Sequence, residues 1–287
     1  MSREVRALFV VVLIFTLGAI GYRFLFGDDL AERFRVVTVA GDVQHQHAGG
    51  ATEPALAGAA LETGDRILSG NGGQAVLGLG AGTRVTVDSR SSVRVLGITD
   101  DGVRLELEEG RVKATVRPSG GRVGVVSSGR QFGGDDADFT VARDADGTVA
   151  ASAERGAIEV SGVDGVVELT AGEDLIVAPG GSPLRAPAAE SLLLQVAWPS
   201  AGRTREREVA MAGQTQPGAT VTVSGGARPV VVKAGKDGQF SARVPLAEGK
   251  NALRVSATSI LGRTADVAAA ELVLDTKAPS VGVTLEF

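Results

Sequence analysis

Hydrophobic and polar positions alternate through most of the chain after residue 36. Within residues 61–97, LETGDRILSGNGGQAVLGLGAGTRVTVDSRSSVRVLG, Ala75, Leu77 and Leu79 make one run, Val85 and Val87 the next, and Val93 and Val95 a third. Gly64-Asp65, Gly70-Asn71-Gly72-Gly73 and Gly80-Ala81-Gly82 punctuate them. Period-two apolar runs bounded by Gly, Asn, Asp and Ser predict short, half-buried strands. Further on, Val103, Leu105 and Leu107 alternate with Arg104, Glu106 and Glu108, and Glu109-Gly110 leads into Val112, Ala114 and Val116. That spacing predicts a hairpin with one wet face, turning at Glu109-Gly110. More strands are predicted over 123–126, 139–142, 148–153, 157–160, 166–169 and 175–177, with Asp146-Gly147, Arg155-Gly156 and Asp164-Gly165 as turns. Residues 48–60 read as a Gly/Ala-rich connection.

The N-terminal segment breaks the alternation. Residues 7–22, ALFVVVLIFTLGAIGY, carry no charge, and Leu8, Phe9, Val10, Val11, Val12, Leu13, Ile14, Phe15, Leu17 and Ile20 make the stretch apolar on every side. As a helix, residues 7–27 rise about 31 Å, enough to cross a bilayer core with Arg23 snorkelling to the interface. Tyr22, Phe24 and Phe26 sit where interfacial aromatics are expected. A cleaved signal peptide is the rival reading; the span length favours an uncleaved anchor. Arg3 and Arg6 before the span, and Asp28 and Asp29 after it, orient the bulk of the chain outward. The expected topology is a single pass through a bacterial inner membrane, with residues 1–6 cytoplasmic, 7–27 spanning and the rest periplasmic.

A second alternating series starts at LLLQVAW and continues to residue 276. The intervening PGGSPLRAPAAES is rich in Pro, Gly, Ala and Ser, so residues 180–191 read as a linker. Residues 192–276 read as about seven strands of sandwich type, leaving 277–287 as a tail.

Composition narrows the class. The 287 residues include 40 glycines and only 4% aromatics, so the cores rest on small aliphatic side chains. A net charge of −5 gives no reason to expect nucleic-acid binding. Zero cysteines removes disulfides, thiolate metal sites and thiol nucleophiles. The charge is uneven: residues 28–194 hold 25 acidic and 15 basic side chains, and residues 195–287 hold 8 and 11.

Candidate chemistry is sparse. His45 and His47, the only histidines, share one strand face and offer two metal ligands. With no third donor nearby in sequence they read as an exposed polar strand end. Asp135, Asp136 and Asp138, and again Asp144 and Asp146, fall short of the spacing of a calcium loop and read as acidic loops. Glu106 and Glu108 read as a solvated face rather than a glycosidase pair. Ser127-Ser128-Gly129 lacks the setting of a nucleophile elbow. No catalytic residue, metal or cofactor is expected, and the protein is read as non-enzymatic.

The motifs GDRILSGNGGQAVLGLGAGTRVTVDSRSSVRV, LELEEGRVKATV, DFTVARDADGTVAASAERGAIEV and VELTAGEDLIVAP, in that order over residues 36–179, resemble the FecR domain family. Gly64, Asp65, Gly70, Gly82, Gly110, Phe139, Gly156 and Gly172 are the positions matched to the family motif, with structural roles. The resemblance implies an extracytoplasmic β-rich, solenoid-type domain. Residues 192–276 resemble bacterial immunoglobulin-like modules, with Gly213, Pro217, Gly218, Phe240, Gly249 and Asn251 as scaffold positions. The regulators of the FecR family carry a cytoplasmic anti-sigma segment ahead of their span, where this chain has MSREVR. The expectation is therefore an anchored envelope protein whose two β-domains bind a protein or a cell-wall glycan. Signalling through a separate cytoplasmic-contact partner, or service as an accessory module of an envelope carbohydrate enzyme, are the alternatives.

Overall fold

The computed structural model describes residues 34–50, 52–80, 82–162, 165–188, 191–199 and 202–276; the expected cytoplasmic start, anchor and tail lie outside them. Among the described residues no helix is long and apolar enough to cross a membrane. The protein is mainly β and divides into two compact units, one ending at Pro187 and the other beginning at Ala188.

The first unit runs β1 (Arg35–Ala40), β2 (Val43–Gln46), β3 (Thr52–Pro54), β4 (Arg66–Ser69), β5 (Gln74–Leu79), β6 (Thr83–Val87), β7 (Ser91–Thr99) and β8 (Gly102–Thr115). After a 3₁₀ turn at Pro118–Gly120 come β9 (Arg122–Ser127), β10 (Arg130–Gly134), β11 (Asp138–Arg143) and β12 (Val149–Arg155). It closes with β13 (Ala157–Gly162), β14 (Gly165–Thr170), β15 (Glu173–Val177) and β16 (Leu184–Pro187). The segment read as linker thus contains a strand: Leu184–Pro187 pairs antiparallel with β15. β3, likewise, lies in the stretch read as a Gly/Ala connection and pairs with β2.

Two sheets share one strand. One sheet is ordered β3-β2-β4-β7-β8-β9-β10-β13-β14, the other β1-β5-β6-β8-β11-β12-β15-β16. The first half of β8 lies between β7 and β9, and its second half between β6 and β11. The expected hairpin at Glu109-Gly110 does not form, and the chain continues through it as one strand. What the sequence marks there is a corner. The inward positions switch from Val103, Leu105 and Leu107 to Val112 and Ala114, and the register slips between Ser92 and Val93 opposite, where Glu109 and Leu107 are the partners. One extra residue in the strand changes the phase and bends it from one sheet into the other. Gly110, at φ +91°, makes the bend, and a Cβ there would come within 2.5 Å of the Ser91 Cα. Gly156 (φ +72°) is a second corner rather than a hairpin turn, carrying the chain from β12 in one sheet to β13 in the other.

The solenoid-type stacking implied by the family resemblance is corrected by this pairing. Within this unit every ladder is antiparallel except β8–β9. Short reversals such as those between β7 and β8 and between β9 and β10 come with this pairing, whereas parallel neighbours need longer crossovers. At Ser128-Gly129, φ of +48° and +75° makes a hairpin turn of the primed type joining β9 to β10. Both sheets contribute to a single core: Val36, Leu77, Val112 and Phe139 from one, Val43, Ile67, Leu105, Val125 and Ile158 from the other. Each buried aliphatic side chain of this kind stabilises the fold by about 1.5–3 kcal/mol.

The second unit has its own core. Its strands are β17 (Leu194–Ala197), β18 (Gly202–Thr204), β19 (Glu208–Thr215), β20 (Thr220–Ser224), β21 (Val230–Lys233), β22 (Gln239–Pro245), β23 (Gly249–Thr258) and β24 (Thr264–Leu274). They form a three-stranded sheet, β17-β19-β22, and a five-stranded sheet, β18-β24-β23-β20-β21. Met211, Val221, Val223, Phe240, Val244, Leu253 and Val255 fill the space between them, and Trp198 packs against this cluster. Gly213 lies under Phe240, whose ring would sit 2.5 Å from a Cβ at that position. Asn251, 1% exposed, ties the corner before β23. Its Oδ1 accepts from the Ala247 amide at 2.8 Å, and its Nδ2 donates to the carbonyls of Ala247 (2.7 Å) and Gly249 (3.0 Å).

Candidate functional site

The densest group of potential ligands on the first unit gathers where β2 ends and the loop between β3 and β4 crosses it. Val43, His45 and His47 point the same way along β2 and its extension, and because Val43 faces the core, His45 does too, at 1% exposure. The reading of both histidines as an exposed strand end is therefore corrected for His45; His47, one residue beyond the strand, is half-exposed. The two rings lie 4.2 Å apart between centroids, tilted by 49°.

The third group comes from the Gly64-Asp65 turn. Asp65 is 3% exposed, with Oδ2 2.8 Å from His45 Nε2 and 3.0 Å from the donating Glu62 amide. Its Oδ1 accepts from the Ala48 amide at 3.1 Å and lies 3.9 Å from His47 Nδ1. Burial alone would push this carboxyl up, but the Glu62 amide, His45 and the Ala48 amide together hold it below the ordinary carboxylate range. An ionised carboxylate only accepts, so His45 carries its proton on Nε2. On the far side, His47 Nε2 meets Glu53 Oε1 at 3.2 Å. The ligating atoms of His45, His47 and Asp65 all lie within 4.8 Å of one another. Two imidazoles and a carboxylate are a donor set for a zinc(II)-class cation rather than for calcium or magnesium.

Of the family-motif positions, only Gly64 and Asp65 belong to this cluster. Gly64 donates its amide to the Val95 carbonyl at 2.8 Å, while the Asp65 carbonyl accepts from the Val95 amide, also at 2.8 Å, which binds the turn to β7. Gly70 follows β4 and contacts the Asp42 backbone through its amide (2.8 Å). Gly82 lies between β5 and β6 against Arg117, Gly110 and Gly156 form the two corners, and Gly172 carries β14 over to β15. Phe139 is wholly buried in β11. These are dispersed scaffold positions.

Several of the other carboxylates are engaged in ion pairs. On the outer face of the first sheet, Glu108 accepts from Arg66 and from the Ser92 hydroxyl, each at 2.7 Å, and Glu106 accepts from Arg94 Nε at 2.9 Å. Burial would raise the Glu108 carboxyl, yet Ser92 and Arg66 bring it below its usual range, opposite to what a general acid needs. Of the acidic loop, Asp138 is bonded to Arg117 at 2.6 Å and Asp136 to Arg155 at 2.8 Å, so these carboxylates are taken by guanidinium groups. Ser127 Oγ donates to the Leu107 carbonyl at 3.0 Å.

A second feature concerns the edges. Among the described residues, the exposed large hydrophobics are Leu56, Val166, Leu184, Leu193 and Val231. Val166 lies on β14, Leu184 on β16 and Val231 on β21, each the last strand of its sheet; Leu56 follows β3 and Leu193 precedes β17, which are also outermost. Beside Val166 a shallow, open groove of about 360 Å³ is lined by Arg122, Asp135, Ile158, Glu159 and Glu168.

No family model matches the chain, and no curated protein matches it. Among solved structures, two crystal structures of a "putative anti-sigma factor" from Parabacteroides distasonis ATCC 8503 are similar, at 25% identity and a TM-score of 0.38. The match covers 42% of this chain and 59% of that one. A "Ca2+-stabilized adhesin" with which an Antarctic bacterium binds ice is similar over 85% of this chain and 95% of its own, at 12% identity and a TM-score of 0.23.

Proposed function

We propose that this is a non-enzymatic envelope protein, anchored in the inner membrane by residues 7–27, whose two β-units bind another envelope protein outside the cytoplasm. The first unit is read as FecR-like from its ordered motifs. The second is read as an immunoglobulin-like module, supported by its three-plus-five sheet order, in which β18 runs parallel to β24. The observation that carries the binding role is the coincidence of exposed apolar side chains with outermost strands. Such an edge presents unpaired backbone groups, and an apolar side chain beside them adds affinity for an extended segment of a partner. A protein partner is favoured over a glycan because sugar rings are held on exposed aromatic faces, and the one tryptophan, Trp198, packs on the second core.

The test is crosslinking in intact membranes followed by pull-down, with Val166→Asp and Val231→Asp as controls. Recovery of a specific envelope protein, lost in either variant at unchanged melting temperature, supports the reading. No specific protein over repeated trials, or retention on purified peptidoglycan instead, overturns it. The signalling alternative rests on the FecR resemblance; it requires a transcriptional response when the chain is deleted.

A further inference from the structure

We propose that His45, His47 and Asp65 form a binding site for a zinc(II)-class divalent cation, with Glu53 as the group that orients His47. A buried His–Asp pair alone serves as a staple between β2 and the loop before β4. Two further observations turn this one toward a cation. First, His47 presents Nδ1 to the same carboxylate at 3.9 Å, too far for a hydrogen bond and of the right order for two atoms that share a metal. Second, the other nitrogen of His47 meets Glu53 Oε1 at 3.2 Å. A carboxylate behind a metal-bound imidazole fixes the tautomer and leaves the inner lone pair free.

The three donor atoms, now within 4.8 Å of one another, would draw together around the ion. Around a tetrahedral zinc with bonds of about 2.0–2.1 Å, ligand atoms stand roughly 3.3 Å apart. His45 Nε2 and Asp65 Oδ2, now at 2.8 Å, would separate by roughly half an ångström, and His47, whose Nδ1 now lies 3.9 Å from the other carboxylate oxygen, would swing inward to join them. The amides of Ala48 and Glu62 already hold the carboxylate in place and ionised. Binding requires His45 to move its proton from Nε2, where it now serves Asp65, to Nδ1, so that Nε2 offers the cation a lone pair. The half-exposed side of His47 leaves a fourth position to water. A bound cation would also join three pieces of chain that are separate in sequence: the end of β2, the turn before β4 and, through Glu53, the edge strand β3.

The chain has no other histidines, so zinc binding has no background from that side chain. The experiment is isothermal titration of the tag-free, chelator-stripped full chain with zinc chloride, with magnesium chloride as control. One zinc per chain, with a dissociation constant of about 1 µM or tighter, is expected. His47→Ala, at a half-exposed position that leaves the core intact, should weaken binding at least tenfold, and Glu53→Gln by about tenfold. Cobalt(II) should give the visible bands of a four-coordinate site, and zinc should slow amide exchange in β3. Absence of saturable heat up to about 100 µM zinc, equal binding of magnesium, or binding indifferent to His47→Ala would each overturn the proposal.

Discussion

The two units solve the same problem, a sandwich with few aromatics, by different means. The first has its sheets joined through β8 and its outer surface laced by ion pairs, with Arg66, Glu108, Arg94 and Glu106 spanning β4, β7 and β8. Among the described residues, the second has no strand common to its two sheets. Its described ion pairs, Lys250–Glu271 at 2.9 Å and Arg203–Asp275 at 3.9 Å, are largely solvent-exposed. Two of its ties are uncharged: the Asn251 corner and the Ser259–Arg263 turn, where Ser259 both donates its amide to the Arg263 carbonyl (2.8 Å) and accepts the Arg263 amide on its hydroxyl (3.0 Å). The first unit's sheet-spanning ties are ionisable; the Asn251 and Ser259 ties of the second are neutral.

That contrast can be broken at single positions while the two units are followed as separate melting transitions. Gly110→Val forces a side chain against Ser91 and Arg90 at a positive φ, and should cost the first unit about 4 kcal/mol or more while sparing the second transition. Asn251→Ala removes three bonds of a buried side chain; the second unit alone should lose about 2–3 kcal/mol by denaturant titration.

Acid gives the next effect. Asp65, Glu108 and Asp138 are held below the ordinary carboxylate range, Asp138 chiefly by Arg117. Glu173 is lowered to about 2 by Arg185 and Thr170. Groups depressed on folding contribute fully above their unfolded values, about 4, and lose that contribution as pH falls through the folded ones. Calorimetry from pH 6 to pH 2.5 should therefore show the first transition falling well ahead of the second; parallel decline would remove the distinction. Smallest of all, Lys250→Ala should leave the second melting temperature unmoved, as expected for an exposed pair.

Alternation made most strands of the first unit legible, because Ala75, Leu77, Val85, Val93 and Val95 are inward residues of strands with one outward face. It could not separate a hairpin from a corner at Glu109-Gly110. Both need a glycine and a phase change, and only pairing at a distance, with β6 and β11, decides between them. The same limit hid the His45–Asp65 contact, whose members are 20 residues apart. One local signal was available: Val43 and His45 share a parity, so a core-facing valine put its neighbour-but-one histidine indoors as well. β3 and β16 escaped notice because short, exposed edge strands containing Pro54 or Pro187 have no inward parity to read.

The sharing of β8 between sheets has a kinetic side. Four strands, β6, β7, β9 and β11, pair with it, so neither sheet can be completed before it is seated. Residues of β8 should accordingly carry the highest φ-values in the first unit, with Leu105→Ala slowing folding more than it speeds unfolding. The strand that joins the layers in the native state is then also the step through which every route to that state must pass.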